Sequence, residues 1–177
     1  MRVTAVCRYL GVAPMLSFVA ACGATVVMET HPALAPAGQA SAARVYFMRP
    51  NIGYPGVMGK AFSISWNDKE LLTLAKGDYA LVYLRPDSGR MTIQSWTVIN
   101  GGMGKVTETR SFSFDAGRTY YVAFLANQHL VLGGTSYLPT LIMGDAVTQA
   151  ASKTKPIGRA AQEPISSTQT SSPRTPF

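Results

Sequence analysis

From Ala43 onward the apolar positions recur every second residue. Phe62, Ile64 and Trp66 alternate with Ala61, Ser63 and Ser65, and Phe112 and Phe114 alternate with Ser111 and Ser113. A period of two puts successive side chains on opposite faces of a strand, so these runs predict half-buried β-strands rather than helices. Turn chemistry separates them: Asn67-Asp68-Lys69, Lys76-Gly77-Asp78, Pro86-Asp87-Ser88-Gly89, Gly101-Gly102-Met103-Gly104 and Asp115-Ala116-Gly117. The pattern predicts strands over Arg44 to Arg49, Ala61 to Trp66, Glu70 to Leu74, Tyr79 to Leu84, Arg90 to Ile99, Val106 to Phe114, Thr119 to Leu125 and Tyr137 to Ile142. Strands at this spacing imply an all-β fold, a small antiparallel β-sandwich of about seven or eight strands spanning residues 43–147. Its expected core is Val45, Phe47, Phe62, Ile64, Trp66, Leu72, Leu74, Leu81, Ile93, Phe112, Phe114, Tyr121 and Val122.

The pattern fades at both flanks. Gly23 to Ala42 is dominated by Ala, Gly, Pro and short polar residues, with Pro32 and Pro36 breaking any helix. It reads as a flexible stem whose ends lie roughly 25 Å apart. Thr148 to Phe177 is rich in Ser, Thr, Pro, Gln and Ala without apolar periodicity, and is expected to be a disordered tail, after a short helical turn begun at Asp145.

Before the stem the pattern is of another kind. Met1 to Arg8 carries two arginines and no acid, and Tyr9 to Ala21 is a mainly apolar run of 13 residues. As a helix that run would span only ~20 Å, short of the ~30 Å hydrocarbon core. The layout is that of a signal peptide ending at residue 21. The junction Val19-Ala20-Ala21-Cys22 resembles the lipobox of bacterial lipoproteins, a branched apolar residue and two small ones before cysteine. The resemblance implies that Cys22 is the lipidation site, its thiol taking diacylglycerol and its amino group a further acyl chain, so that the partner is a membrane. Two or more chains anchor stably where one does so marginally. Gly23 stands where an inner-membrane retention signal would place Asp, which implies the periplasmic face of the outer membrane. Ordinary secretion is the alternative, because Val19 and Ala21 also satisfy the general signal peptidase.

Charge and composition then narrow the function. The formal charge is +7; loss of residues 1–21 removes Arg2 and Arg8 and no acid, leaving 14 basic against 9 acidic residues, or +5. Lys60, Lys69, Lys76, Arg90, Lys105, Arg110 and Arg118 are dispersed singly, without the stripe that nucleic-acid binding uses. They read as a solvated surface with weak attraction to anionic lipid. Cys7 and Cys22 both lie outside the strand-forming region, which excludes a disulfide framework and a cysteine-based zinc or nucleophile site there.

The opening Ala43-Arg44-Val45-Tyr46-Phe47-Met48-Arg49-Pro50, then Leu74-Ala75-Lys76-Gly77-Asp78-Tyr79 and Asp115-Ala116-Gly117-Arg118-Thr119-Tyr120-Tyr121-Val122, carry a resemblance. In order and spacing they resemble a family of uncharacterised bacterial lipoproteins classed as a domain of unknown function, similar to PEGA-type β-sandwich modules. It covers Ala43 to Leu125, with a two-residue insertion at Arg85-Pro86-Asp87-Ser88-Gly89-Arg90. The resemblance implies fold and location and transfers no catalytic residue.

Searches for chemistry leave little. His31 in the stem and His129 in an Asn127-Gln128-His129 loop have no partners at metal or catalytic spacing and read as solvated. Gly134-Thr135-Ser136-Tyr137 is no nucleophile elbow, and Gly102-Met103-Gly104-Lys105 is a turn rather than a phosphate loop. Asp68, Glu70, Asp78 and Asp87 sit in or beside tight turns, where acids serve the backbone. The expectation is a protein that is not an enzyme, with no cofactor and no metal, acting as a binding or structural module on an envelope protein or glycan. The alternative is a cell-wall or surface-glycan processing enzyme or a glycan-binding module. Among Tyr46, Tyr54, Tyr79, Tyr83, Trp96, Tyr120 and Tyr137, the residues singled out for ligand contact are Trp96 and Tyr120.

Overall fold

The computed structural model describes residues 24–51, 61–99, 102–129 and 134–166. Its strands are β1 (Val26–Val27), β2 (Ala43–Met48), β3 (Phe62–Trp66), β4 (Lys69–Leu74), β5 (Asp78–Leu84), β6 (Asp87–Ile99), β7 (Gly102–Phe114), β8 (Thr119–His129), β9 (Gly134–Leu141) and β10 (Lys155–Ile157). Two short helices, α1 (Asp145–Ala151) and α2 (Arg159–Gln162), flank β10. The strands form two five-stranded sheets, ordered β1-β4-β3-β6-β7 and β10-β5-β2-β8-β9. The fold is an all-β sandwich. Its pairing is antiparallel except for β2 with β8 and β10 with β5, which run parallel.

The period-two runs face each other across the sandwich. Phe62, Ile64 and Trp66 of one sheet meet Val45, Phe47, Val122 and Phe124 of the other, with Phe62 edge-on to Phe124 at 5.0 Å, while Trp66 packs on Phe114 of its own sheet at 5.2 Å. Asn67 and Asp68, both at positive φ, close the β3–β4 hairpin as the primed turn that matches strand twist. Of the expected core, Leu81 and Tyr121 lie instead in a second cluster, and Phe112 is only partly buried.

β6, β7 and β8 run on into segments expected to be turns or loops. β6 starts at Asp87, so Pro86-Asp87-Ser88-Gly89 is not a free turn; Gly89 pairs with Phe112 and lies beneath Trp66. A Cβ on Gly89 would stand 2.5 Å from the indole, so the glycine is there for close approach. β7 begins inside the expected Gly-rich turn, and β8 continues through Asn127-Gln128-His129, paired with β9 as far as His129 opposite Gly134.

Both flanks differ from expectation. Residues 24–42 are not a free stem: β1 pairs with β4, Met28 N–H donates to Leu71 O, and Ala35 N–H donates to Tyr83 O. Main-chain hydrogen bonds to exposed edges of β4 and β5 need no apolar period, which is why composition alone reads as linker. Nor are residues 148–166 a disordered tail, since β10 extends the second sheet and α1 and α2 cover its outer face. There Val147, Ala150 and Ala160 meet Tyr46, Met48, Tyr79, Leu81, Tyr83 and Tyr121. The sheet supplies the bulk and the helices only small residues, so no amphipathic stripe marks the segment. With both faces covered, β5 is buried along its whole length.

Candidate functional site

Of the residues singled out in the sequence, Cys22 and Tyr54 lie outside the described residues. Trp96 is 49% exposed, on the outward face of the long β6–β7 ribbon, where Val98 and its cross-strand partner Met103 are also exposed and Lys105 stands opposite the tryptophan. The inward face of the same stretch is Ser95 and Thr97, both buried, with Thr97 Oγ1 accepting from Thr135 N–H at 2.9 Å. Alternation along β6 thus sets an aromatic outward and hydroxyls inward, opposite to the order at Phe62 to Trp66.

Tyr120 does not offer a ligand face. Its ring packs edge-on to Phe114 at 5.0 Å, and its hydroxyl accepts from Asp115 N–H and donates to Asp115 Oδ2. It ties the turn before β8 to the core. Tyr120 is partly buried, and Tyr46, Tyr79, Tyr83, Tyr121 and Tyr137 are buried, so Trp96 does not join them in a strip. His31 is buried rather than solvated: Nδ1 accepts from Ala33 N–H at 3.1 Å and Nε2 faces Lys69 O at 3.2 Å, so the ring holds an irregular segment in place.

Three polar arrangements were not legible from spacing. Thr25 Oγ1 donates to Asp78 Oδ2 at 2.6 Å and accepts from Ala75 N–H at 2.9 Å, while Lys155 Nζ lies 3.6 Å from Asp78 Oδ1. The first described residues are thereby locked to the β4–β5 turn and to β10. Arg49 is buried, with its guanidinium 4.3 Å from the Phe62 ring and 4.7 Å from that of Tyr137; it donates to Leu74 O and to the Tyr137 hydroxyl. Burial pulls its pKa down from the ordinary arginine value. At the outer face, Arg44 donates to Glu163 Oε2 at 3.2 Å, Tyr83 donates to the same oxygen and Tyr46 donates to Glu163 O. All three join residues distant in sequence, and an arginine before a proline or a glutamate in a Gln-Glu-Pro run carries no sign of its partner.

The second cluster gives a pH prediction. Burial pushes the phenols of Tyr46, Tyr83 and Tyr121 above their ordinary value, and hydrogen bonding to Glu163 adds to the rise at Tyr83. The unfolded chain therefore ionises first. The stability these groups contribute is complete below pH ~10 and is lost as the pH climbs through their raised values. Melting temperature, followed by circular dichroism, should hold up to about pH 10 and fall above it. The Tyr121 hydroxyl is buried with no hydrogen-bond partner, so Tyr121→Phe should leave neutral-pH stability unchanged or raise it by up to ~1 kcal/mol and flatten the alkaline fall. A loss above ~1 kcal/mol at neutral pH contradicts this account.

No group of three or more His, Cys, Asp and Glu among the described residues is placed to hold a metal ion, and no helix among them is long and apolar enough to cross a membrane. Comparison of the chain with protein-family models, curated proteins and solved structures finds no match.

Proposed function

We propose that the chain is an exported bacterial lipoprotein, held at the periplasmic face of the outer membrane by acyl chains on Cys22, whose sandwich acts as a non-enzymatic binding or structural module of the cell envelope. The observation that carries the reading is the join between address and fold. Val19-Ala20-Ala21-Cys22 is followed within three residues by Thr25, already hydrogen-bonded to Asp78 and Ala75. A cleavage before Cys22 would release the apolar leader and leave every described residue of the sandwich in place.

A glycan-binding module needs flat exposed rings flanked by hydrogen-bonding groups. Trp96 has Val98, Met103 and Lys105 around it, a set better suited to apolar contact. Cys22→Ser supplies the test, read by fractionation and by mass spectrometry of the N-terminus. The parent is expected in the membrane fraction with a diacylglycerol-bearing Cys22, and the variant unacylated and lost from that anchor. An unmodified Cys22 amino terminus in a soluble fraction would mean ordinary secretion instead.

A further inference from the structure

We propose that the end of the sandwich carrying Thr25 docks directly on the bilayer, with Trp96, Val98 and Met103 in the interfacial layer and Lys76, Lys105 and Lys153 on anionic lipid phosphates. The inference rests on the lipoprotein reading and adds an orientation to it. A free stem of twenty residues would leave the domain able to turn at a distance from the membrane. The packed N-terminal segment removes that freedom, because Cys22 is three residues from Thr25 and three extended residues reach at most ~11 Å.

The strand registers place the ribbon at the same end. Val26 pairs with Thr73, Thr73 with Ser63 and Ser63 with Gln94, so these four form one row across the sheet. Stepping from Val26 to Thr25 corresponds to stepping from Gln94 to Ser95. β6 then continues four residues further, to Ile99, projecting ~14 Å past the Thr25 row. The reach of the anchor and the projection of the ribbon are therefore comparable, and acyl chains on Cys22 would bring both to one plane.

The outward face of the ribbon changes character along its length. Away from that end it carries Ser88, Thr92, Thr109 and Ser113, with Ser88 bonded to Ser113 and Thr92 to Thr109. Near the end it carries Trp96, Val98 and Met103, all at least 40% exposed. Tryptophan among aliphatic residues and lysines is the composition that partitions to the headgroup boundary. The charge agrees: Lys105 faces Trp96 across the ribbon, Lys76 follows β4, and Lys153 precedes β10, whose Lys155 pairs with Asp78 at the β4–β5 turn. Asp78 is buried and engaged by Thr25 and Lys155, leaving the exposed charge of this end basic.

The two tryptophans make the test direct, because Trp66 is 2% exposed in the core and Trp96 is 49% exposed. The mature lipidated protein is reconstituted into vesicles of phosphatidylethanolamine and phosphatidylglycerol, with and without brominated acyl chains. Brominated lipid should quench the Trp96 emission and leave that of Trp66, and Trp96→Phe should abolish the quenched component without lowering the melting temperature. The full-length mature chain with Cys22→Ser should bind phosphatidylglycerol vesicles, and Lys76→Glu, Lys105→Glu and Lys153→Glu together should weaken that binding at least ~10-fold. Acyl mass on Cys22 with unquenched Trp96 overturns the docking and leaves the lipoprotein reading standing. Absence of acyl mass overturns the lipoprotein reading and the docking with it. Quenching that persists in Trp96→Phe also overturns the docking.

Discussion

A chain ended at Gly144 is expected to unfold, although the composition of residues 145–177 is that of a dispensable tail. Removing α1, β10 and α2 uncovers the outer face of β2, β5 and β8, where Tyr46, Met48, Tyr79, Leu81, Tyr83 and Tyr121 lie against Val147, Ala150 and Ala160. Exposing Met48 and Leu81 alone costs ~3–6 kcal/mol at ~1.5–3 kcal/mol per large apolar side chain. Loss of the Glu163 acceptors for Arg44, Tyr46 and Tyr83 adds ~1 kcal/mol for each bond, so the total approaches the ~5–15 kcal/mol that holds a domain together. Urea unfolding should show a midpoint lowered by most of its parental value, or no cooperative transition. A chain ended at Ser166 keeps every one of these contacts and serves as the control. If the Gly144 chain melts within a few degrees of that control, the second cluster contributes little and the face is an ordinary solvated one.

The sandwich was legible because period two is a local property. Phe62, Ile64 and Trp66 announce their inward face within five residues, and Asn67-Asp68 announces the turn that follows. What was hidden depends on partners far along the chain. Val26 and Val27 join a sheet through backbone groups that no side chain advertises, and Gly89 reads as a turn glycine until Trp66 is seen lying over it. The same limit governs the candidate site. Trp96 stands out because its neighbours in register, Gln94 and Val98, mark an outward face, whereas Tyr120 has the same local alternation and is captured by Asp115 and Phe114. Residues 148–166 escaped recognition because cover built from alanine and valine over tyrosines leaves the hydrophobic signal on the tyrosines.

Arg49→Ala is expected to be the most damaging single substitution in the interior, at ~3–5 kcal/mol. The side chain stands just past β2 and reaches both sheets at the Thr25 end, touching Phe62 of β3, Leu74 of β4 and Tyr137 of β9. Truncation leaves a cavity between two rings, and it orphans the Leu74 carbonyl and the Tyr137 hydroxyl away from water. Lysine keeps the charge but not the planar fork that stacks between Phe62 and Tyr137, so Arg49→Lys should recover little of the loss. Methionine fills similar space without bringing a charge into the core, and Arg49→Met should cost the least of the three, ~1–3 kcal/mol. If the hydroxyl acts mainly as a partner of the arginine, Tyr137→Phe should lower stability by ~1 kcal/mol in the parent and by almost nothing in Arg49→Met. Guanidinium-chloride melts of the five variants decide the order. An Arg49→Lys variant more stable than Arg49→Met would show that the cation itself, rather than the space and hydrogen bonds it satisfies, holds the two sheets together at this end.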